Sequence, residues 1–114
     1  MRIVVIDGQG GGIGAQIVGG LRKSFGETIE IVALGTNAIA TSAMLKAGAN
    51  KAATGENAIR VNCAEADIVA GSIGILLTDS MMGEMTAAAV NAIGSARAAK
   101  FLVPVTNSPV HVAG

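Results

Sequence analysis

The residues with the clearest chemical use in this chain form one loop, Asp7-Gly8-Gln9-Gly10-Gly11-Gly12-Ile13-Gly14-Ala15. Glycine permits a tight turn, and without a Cβ it lets backbone N–H groups come close to an anion. A helix that begins inside such a loop adds unpaired N–H donors and the positive end of its dipole. The chemistry on offer is recognition of a phosphate or similar anion rather than bond breaking. Asp7 is the one group in the run able to act as a general acid or base, or to hold a cation. The competing reading is a tight turn that brings helix and sheet together and binds nothing.

Two dinucleotide fingerprints fit the loop. Gly10, Gly12 and Ala15 satisfy G-x-G-x-x-G/A. Gly8, Gly12 and Gly14 satisfy G-x-x-x-G-I-G, a pattern that resembles the short-chain dehydrogenases. The rest of the chain departs from both. An acid is expected roughly 20 residues further on, where it would meet the ribose hydroxyls. Leu34, Gly35, Thr36 and Asn37 stand there instead. Thr36 and Asn37 can hydrogen-bond a ribose or a phosphate, and can equally cap the next helix. The dehydrogenase resemblance implies a catalytic tyrosine, and this chain has no Tyr. A P-loop is excluded because no Gly-Lys-Ser/Thr follows the glycines.

Other candidates lie near the same edge. Gly71 and Ser72 face the loop if the fourth strand ends there; Thr78 and Asp79 do so if it runs on to Leu77. Glu56 reads as a first-turn acid that favours the helix dipole. Thr106-Asn107-Ser108-Pro109 reads as a turn after the fifth strand. Met81, Met82 and Met85 form a soft apolar patch suited to a subunit contact. Cys63 falls inside a helix as a small buried hydrophobe, and His111 is the only histidine. One Cys and one His have no recognisable ligand spacing, so no structural metal is expected. Asp7, Asp79, Glu84 and His111 are the local acid–base candidates, and no two of them form a paired constellation.

The elements that must position these residues alternate in type. Ile3–Ile6 is a continuous β-branched run, which reads as a buried strand. Ile13, Ile17, Val18, Leu21 and Phe25 recur at helical spacing, with Arg22 and Lys23 near the end and Gly26 after it. Ile29–Leu34 is a second strand, and a helix follows from Thr36 or Asn37 to about Ala47. Asn50–Ala53 is a weak third strand, and Thr54 opens a helix to about Ala66. A fourth strand starts at Ile68, a helix spans Gly83 to about Ala98, and Lys100–Val105 is a fifth strand. Pro109–Ala113 is a short sixth strand or an extended tail. Strands and helices alternating at this spacing form parallel βαβ units. The expected fold is a single α/β domain over residues 1–114, a Rossmann-like doubly wound three-layer sandwich with strand order 3-2-1-4-5. Ligands of such sheets bind beyond the carboxyl ends of the strands, between strands 1 and 4.

Composition narrows the partners. The 114 residues include eight basic and eight acidic side chains, so the net charge is zero and argues against a nucleic-acid partner. Alanine and glycine together account for 37 residues, which leaves an aliphatic core and elements that approach closely. The mean hydropathy of +0.58 is high for so small a domain. No membrane partner is expected, because the longest uncharged run, Ile31–Leu45, carries several polar residues and is shorter than the roughly 18 residues a spanning helix needs. The N-terminal apolar stretch stops at Asp7, which does not fit a signal peptide, and a lone cysteine fits a reducing cytosol. A cytoplasmic homo-oligomer is the expectation that absorbs the surplus hydropathy.

The strings IDGQGGGIG, ALGTNAIATSAMLKAGAN and ATGENAI resemble a small uncharacterised bacterial family, a domain of unknown function of about this length. That resemblance implies a stand-alone bacterial cytosolic protein and supplies no catalytic residue. The residues themselves point to a nucleotide- or dinucleotide-binding module that serves as sensor or subunit. NAD, NADP or another nucleotide would lie on Asp7, Gly8, Gly10, Gly11, Gly12, Ile13, Gly14, Thr36, Asn37, Gly71 and Ser72. The alternatives are a small oligomeric enzyme with a shared site using Asp7, and a ligand-free interaction protein using the methionines.

Overall fold

Strand β1 (Arg2–Asp7) is apolar on both faces, so both faces need cover. Val4 and Ile6 join Val32 and Leu34 of β2 (Glu30–Gly35) on one side. There they meet Ile59 and Cys63 of α3 (Glu56–Cys63) and Ala89 and Ile93 of α4 (Ala87–Ser95). Ile3, Val5, Ile31 and Ala33 point the other way, against Val18 of α1 (Gly12–Phe25) and Met44 of α2 (Ala38–Lys46). Two separate cores on either side of one sheet follow from the period-2 alternation of the strands. The computed structural model describes residues 1–104.

The sheet is completed by β3 (Lys51–Thr54), β4 (Ile68–Ser72) and β5 (Ala99–Val103), in the order β3-β2-β1-β4-β5 with every neighbouring pair parallel. This is the order expected from the sequence, in an α/β doubly wound, Rossmann-like sandwich. From β1 the chain steps outward through β2 and β3, then returns to build β4 and β5 on the other side. The crevice of such a sheet opens at the carboxyl ends of β1 and β4. Ile6 lies opposite Gly71 and Asp7 opposite Gly35, so the glycine loop leaves the sheet between Thr36 and Ser72.

Several boundaries differ from expectation. β4 ends at Ser72, and Ile73–Leu76 form a 3-10 turn that buries Ile75, so the strand does not reach Leu77. The helix expected from Gly83 begins only at Ala87. Asp79, Met81, Met82 and Gly83 all take positive φ, a conformation a right-handed helix excludes, and Thr86 then caps α4 through its bond from Ala89 N–H (3.1 Å). α3 is shorter at both ends than Thr54–Ala66, because Gly55 turns with φ 108° and Ala64 closes the helix. The Thr106–Pro109 turn, the Pro109–Ala113 segment and His111 lie outside the described residues.

Helix α1 packs on β1 and β4. Between it and β5 stays a groove of about 570 Å³ whose walls, among them Met1, Leu21, Phe25, Phe101 and Val103, are entirely apolar. Among the described residues no helix is long and apolar enough to cross a membrane.

Candidate functional site

The glycine loop is braced from below by Asp7. This side chain is 6% exposed at the end of β1. One carboxylate oxygen accepts the N–H of Gly8 (2.8 Å) and the other the N–H of Gly14 (2.7 Å). Asp7 thereby ties the start of the loop to the first turn of α1. Gly11, with φ 74°, is the residue before the helix. Its position has two demands: a left-handed backbone, and room for Ala40, whose Cα would lie 2.8 Å from an added Cβ. The loop is thus pressed onto α2.

The next amides point outward without partners. Among the described residues the N–H groups of Gly10, Gly12 and Ile13 donate to no acceptor, whereas Gly11 N–H bonds Gly8 O and Ala15 N–H bonds Gly11 O. Gly10 and Gly12 are exposed, and a Cβ added at either would meet nothing within 4 Å. Unpaired donors at a helix start, in a loop without side chains to screen them, suit an anion.

Thr36 and Asn37 form the neighbouring wall. Thr36 N–H bonds Asp7 O (3.0 Å), which holds the end of β2 against the loop. Asn37 takes the capping role and also holds the loop. Its Oδ1 caps α2 by accepting Ala40 N–H (2.8 Å), and its Nδ2 donates to Gln9 O (2.8 Å) in the loop. Gly71 sits flush against β1, where a Cβ would come within 2.7 Å of Ile6 O, and Ser72 follows it, 4% exposed. All eleven sequence-selected positions therefore gather at the carboxyl edge of β1, β2 and β4, though Asp7, Gly8, Gly11, Gly14, Gly71 and Ser72 are buried within it.

The participant not singled out for this site is Glu84. Its Oε1 accepts the N–H of Gln9 (2.6 Å), the hydroxyl of Thr36 (2.5 Å) and the Nδ2 amide of Asn37 (3.0 Å). The Gln9 amide above all, then the Thr36 hydroxyl, holds this carboxyl below the usual carboxylate range against the opposing effect of burial. A cation would compete for the same oxygens, yet among the described residues no three His, Cys, Asp or Glu side chains come together in a metal-binding group.

A family model described as Domain of unknown function (DUF3842) matches residues 2–114. The chain belongs to the DUF3842 family. No curated protein matches it. The DUF3842 match runs through the glycine loop, the Thr36–Asn37 wall and the Glu84 turn alike, and it assigns no role to any of them.

The remaining candidates of this DUF3842 chain settle into structural places. Met85 is fully buried in the core beneath α3 and α4, Met81 is half-buried and Met82 is 92% exposed. The three do not form one surface patch, because the left-handed turn sends them in different directions. Burial pushes the Cys63 thiol up to about 11, which makes it a poor nucleophile near neutrality. Glu56 lies in the first turn of α3 and accepts a hydrogen bond from the Thr86 hydroxyl. A second cleft, about 510 Å³ between α3 and α4, carries Arg60 and Arg97 at its walls and lies away from the sheet edge.

Proposed function

We propose that this DUF3842 domain is a nucleotide-binding module, with a phosphate of NAD, NADP or another nucleotide seated on the glycine loop. The observation that carries this reading is the set of N–H groups of Gly10, Gly12 and Ile13, without partners among the described residues, at the start of α1, with Gly10 and Gly12 exposed. Their position beside the β1–β4 switch point is the usual ligand edge of a doubly wound sheet. Asp7 serves this reading as a loop brace, one amide of the loop and one of the first helical turn on its two oxygens.

The test is a thermal-shift screen of NAD, NADP, FAD, FMN, ATP and S-adenosylmethionine, with and without Mg²⁺. A ligand at about 100 times its Kd adds roughly 2.7 kcal/mol to the folded state, enough for a shift of several degrees. Gly12→Leu then decides the location. Its side chain enters empty space, so the fold should survive while affinity falls at least tenfold. Unchanged affinity in a folded Gly12→Leu protein rejects the loop as the seat.

A homo-oligomer is the second part of the reading. The methionine patch does not support it, but the apolar groove between α1 and β5 does. Among the described residues, four of the eight exposed large hydrophobics, Met1, Phe25, Phe101 and Val103, line that one groove. A second copy of the chain is the occupant proposed, since an edge strand can pair with its own copy about a two-fold axis.

A further inference from the structure

Strand β2 ends without the acid that reads ribose in dinucleotide sites, yet a carboxylate stands at that place. Glu84 supplies it from the turn between β4 and α4. That turn is a built object. Asp79 N–H bonds Met85 O (2.7 Å), Gly83 N–H bonds Asp79 O (3.1 Å), and Glu84 N–H bonds Met81 O (3.2 Å). Three non-glycine residues accept left-handed backbone to make it, and the fully buried Met85 anchors it in the core beside Glu84. Non-glycine residues in that region cost energy, so the surrounding contacts must hold them there.

The two carboxylate oxygens differ in use. Oε1 is saturated by Gln9, Thr36 and Asn37, which fixes the group in position. Oε2 accepts no hydrogen bond among the described residues. A fixed, ionised carboxylate with one oxygen free is an acceptor for hydroxyl groups and repels a phosphate. The open amides of Gly10, Gly12 and Ile13 lie along the same loop as Gln9, which holds Glu84. Donors for a phosphate and an acceptor for hydroxyls therefore stand side by side, the pairing a ribose phosphate presents.

Building on the nucleotide reading of the loop, we propose that Glu84 is the specificity-determining residue of the site. Its Oε2 accepts the ribose hydroxyls of the bound nucleotide, and its charge excludes nucleotides phosphorylated at the 2′ position. The ligand class is a nucleotide with a free ribose diol, NAD rather than NADP among dinucleotides.

Calorimetric titration of the full chain with NAD and with NADP tests this. The wild-type protein should bind NAD on the order of tenfold more tightly than NADP or better, the factor a charge-assisted hydrogen bond corresponds to. That measurement needs no variant. Glu84→Gln should weaken NAD binding by a similar factor and remove most of the preference, while still binding through the loop amides. Equal affinity for the two in the wild type overturns the assignment and leaves the loop reading standing. So does a preference that survives in Glu84→Gln, or NAD binding that strengthens in it, which would make the carboxylate a plug. If neither dinucleotide binds, the nucleotide of the wider panel that does bind takes their place, and unchanged affinity for it in Glu84→Gln overturns the ribose assignment; if the whole panel is silent, the loop reading falls with it.

Discussion

Met82 and Met85 stand three positions apart, and their environments have nothing in common. Met85 is fully buried among Ile6, Leu34 and Ile75, whereas Met82 is 92% exposed. Truncating a buried methionine removes apolar contacts and leaves a cavity, at about 2–5 kcal/mol. Met85→Ala should therefore lower the urea midpoint strongly, and Met82→Ala should move stability by no more than about 0.5 kcal/mol. Equal effects in a urea titration would contradict this placement. The sequence could not separate the two residues, because a helical period through Gly83 puts them on neighbouring faces. Only the left-handed turn at Asp79, Met81 and Met82 sends one inward and the other out.

At the scale of elements, α1 and α3 start at glycines, and α2 and α4 start at side-chain caps. Asn37 caps α2 and Thr86 caps α4. Arg22, in the last turn of α1, donates to Gly26 O (2.6 Å) and Gly48 O (3.0 Å), so the basic residue expected at a helix end also ties α1 to the turn after α2. Thr86 carries a further duty, since its hydroxyl donates to Glu56 of α3 while accepting from Ala89 N–H. Removing a Thr cap costs about 1 kcal/mol, within a range of about 0.5–2. Thr86→Ala should fall toward the upper end, because Glu56 loses its partner too, and Thr86→Ser should keep most of the stability. Denaturant unfolding of the pair checks this, and a neutral Thr86→Ala would remove the cap from the account. The cap at Asn37 was legible from residue type and position. The one at Thr86 was obscured by Ala87–Ala89 and by the methionines before it, which extend a helical pattern backward past the true start.

Across the described residues, the four helices divide evenly between the two sheet faces, and β5 is the strand they cover least. Ala99, Phe101 and Val103 alternate outward along it, with Phe101 61% exposed. An apolar edge strand without proline or outward charge invites pairing with another chain. Sedimentation at micromolar concentration should find the protein as a dimer or larger assembly. Phe101→Ser should shift it toward monomer with an unchanged circular-dichroism spectrum. A wild-type chain that stays monomeric at these concentrations rejects self-association on this face.

Local rules carried the strand order and brought the candidate residues to one sheet edge. Uninterrupted β-branched runs separated by helical periods admit few arrangements other than a parallel, doubly wound sheet, and the glycine loop marks where its first crossover begins. Thr36, Asn37 and Gly71 were legible for the same reason, because each terminates or closely follows a strand whose neighbour is set by topology. Glu84 could not be placed this way. It lies 77 positions from Asp7 in the chain, and it reaches Gln9 and Asn37 only because β4 stops at Ser72 and a left-handed turn folds back over β1 and β2. Whether such a turn forms depends on the core accepting Met85, a balance of packing against backbone strain that no local pattern records. Spacing determined where a ligand could sit; the tertiary fold decided which side chains stand around it.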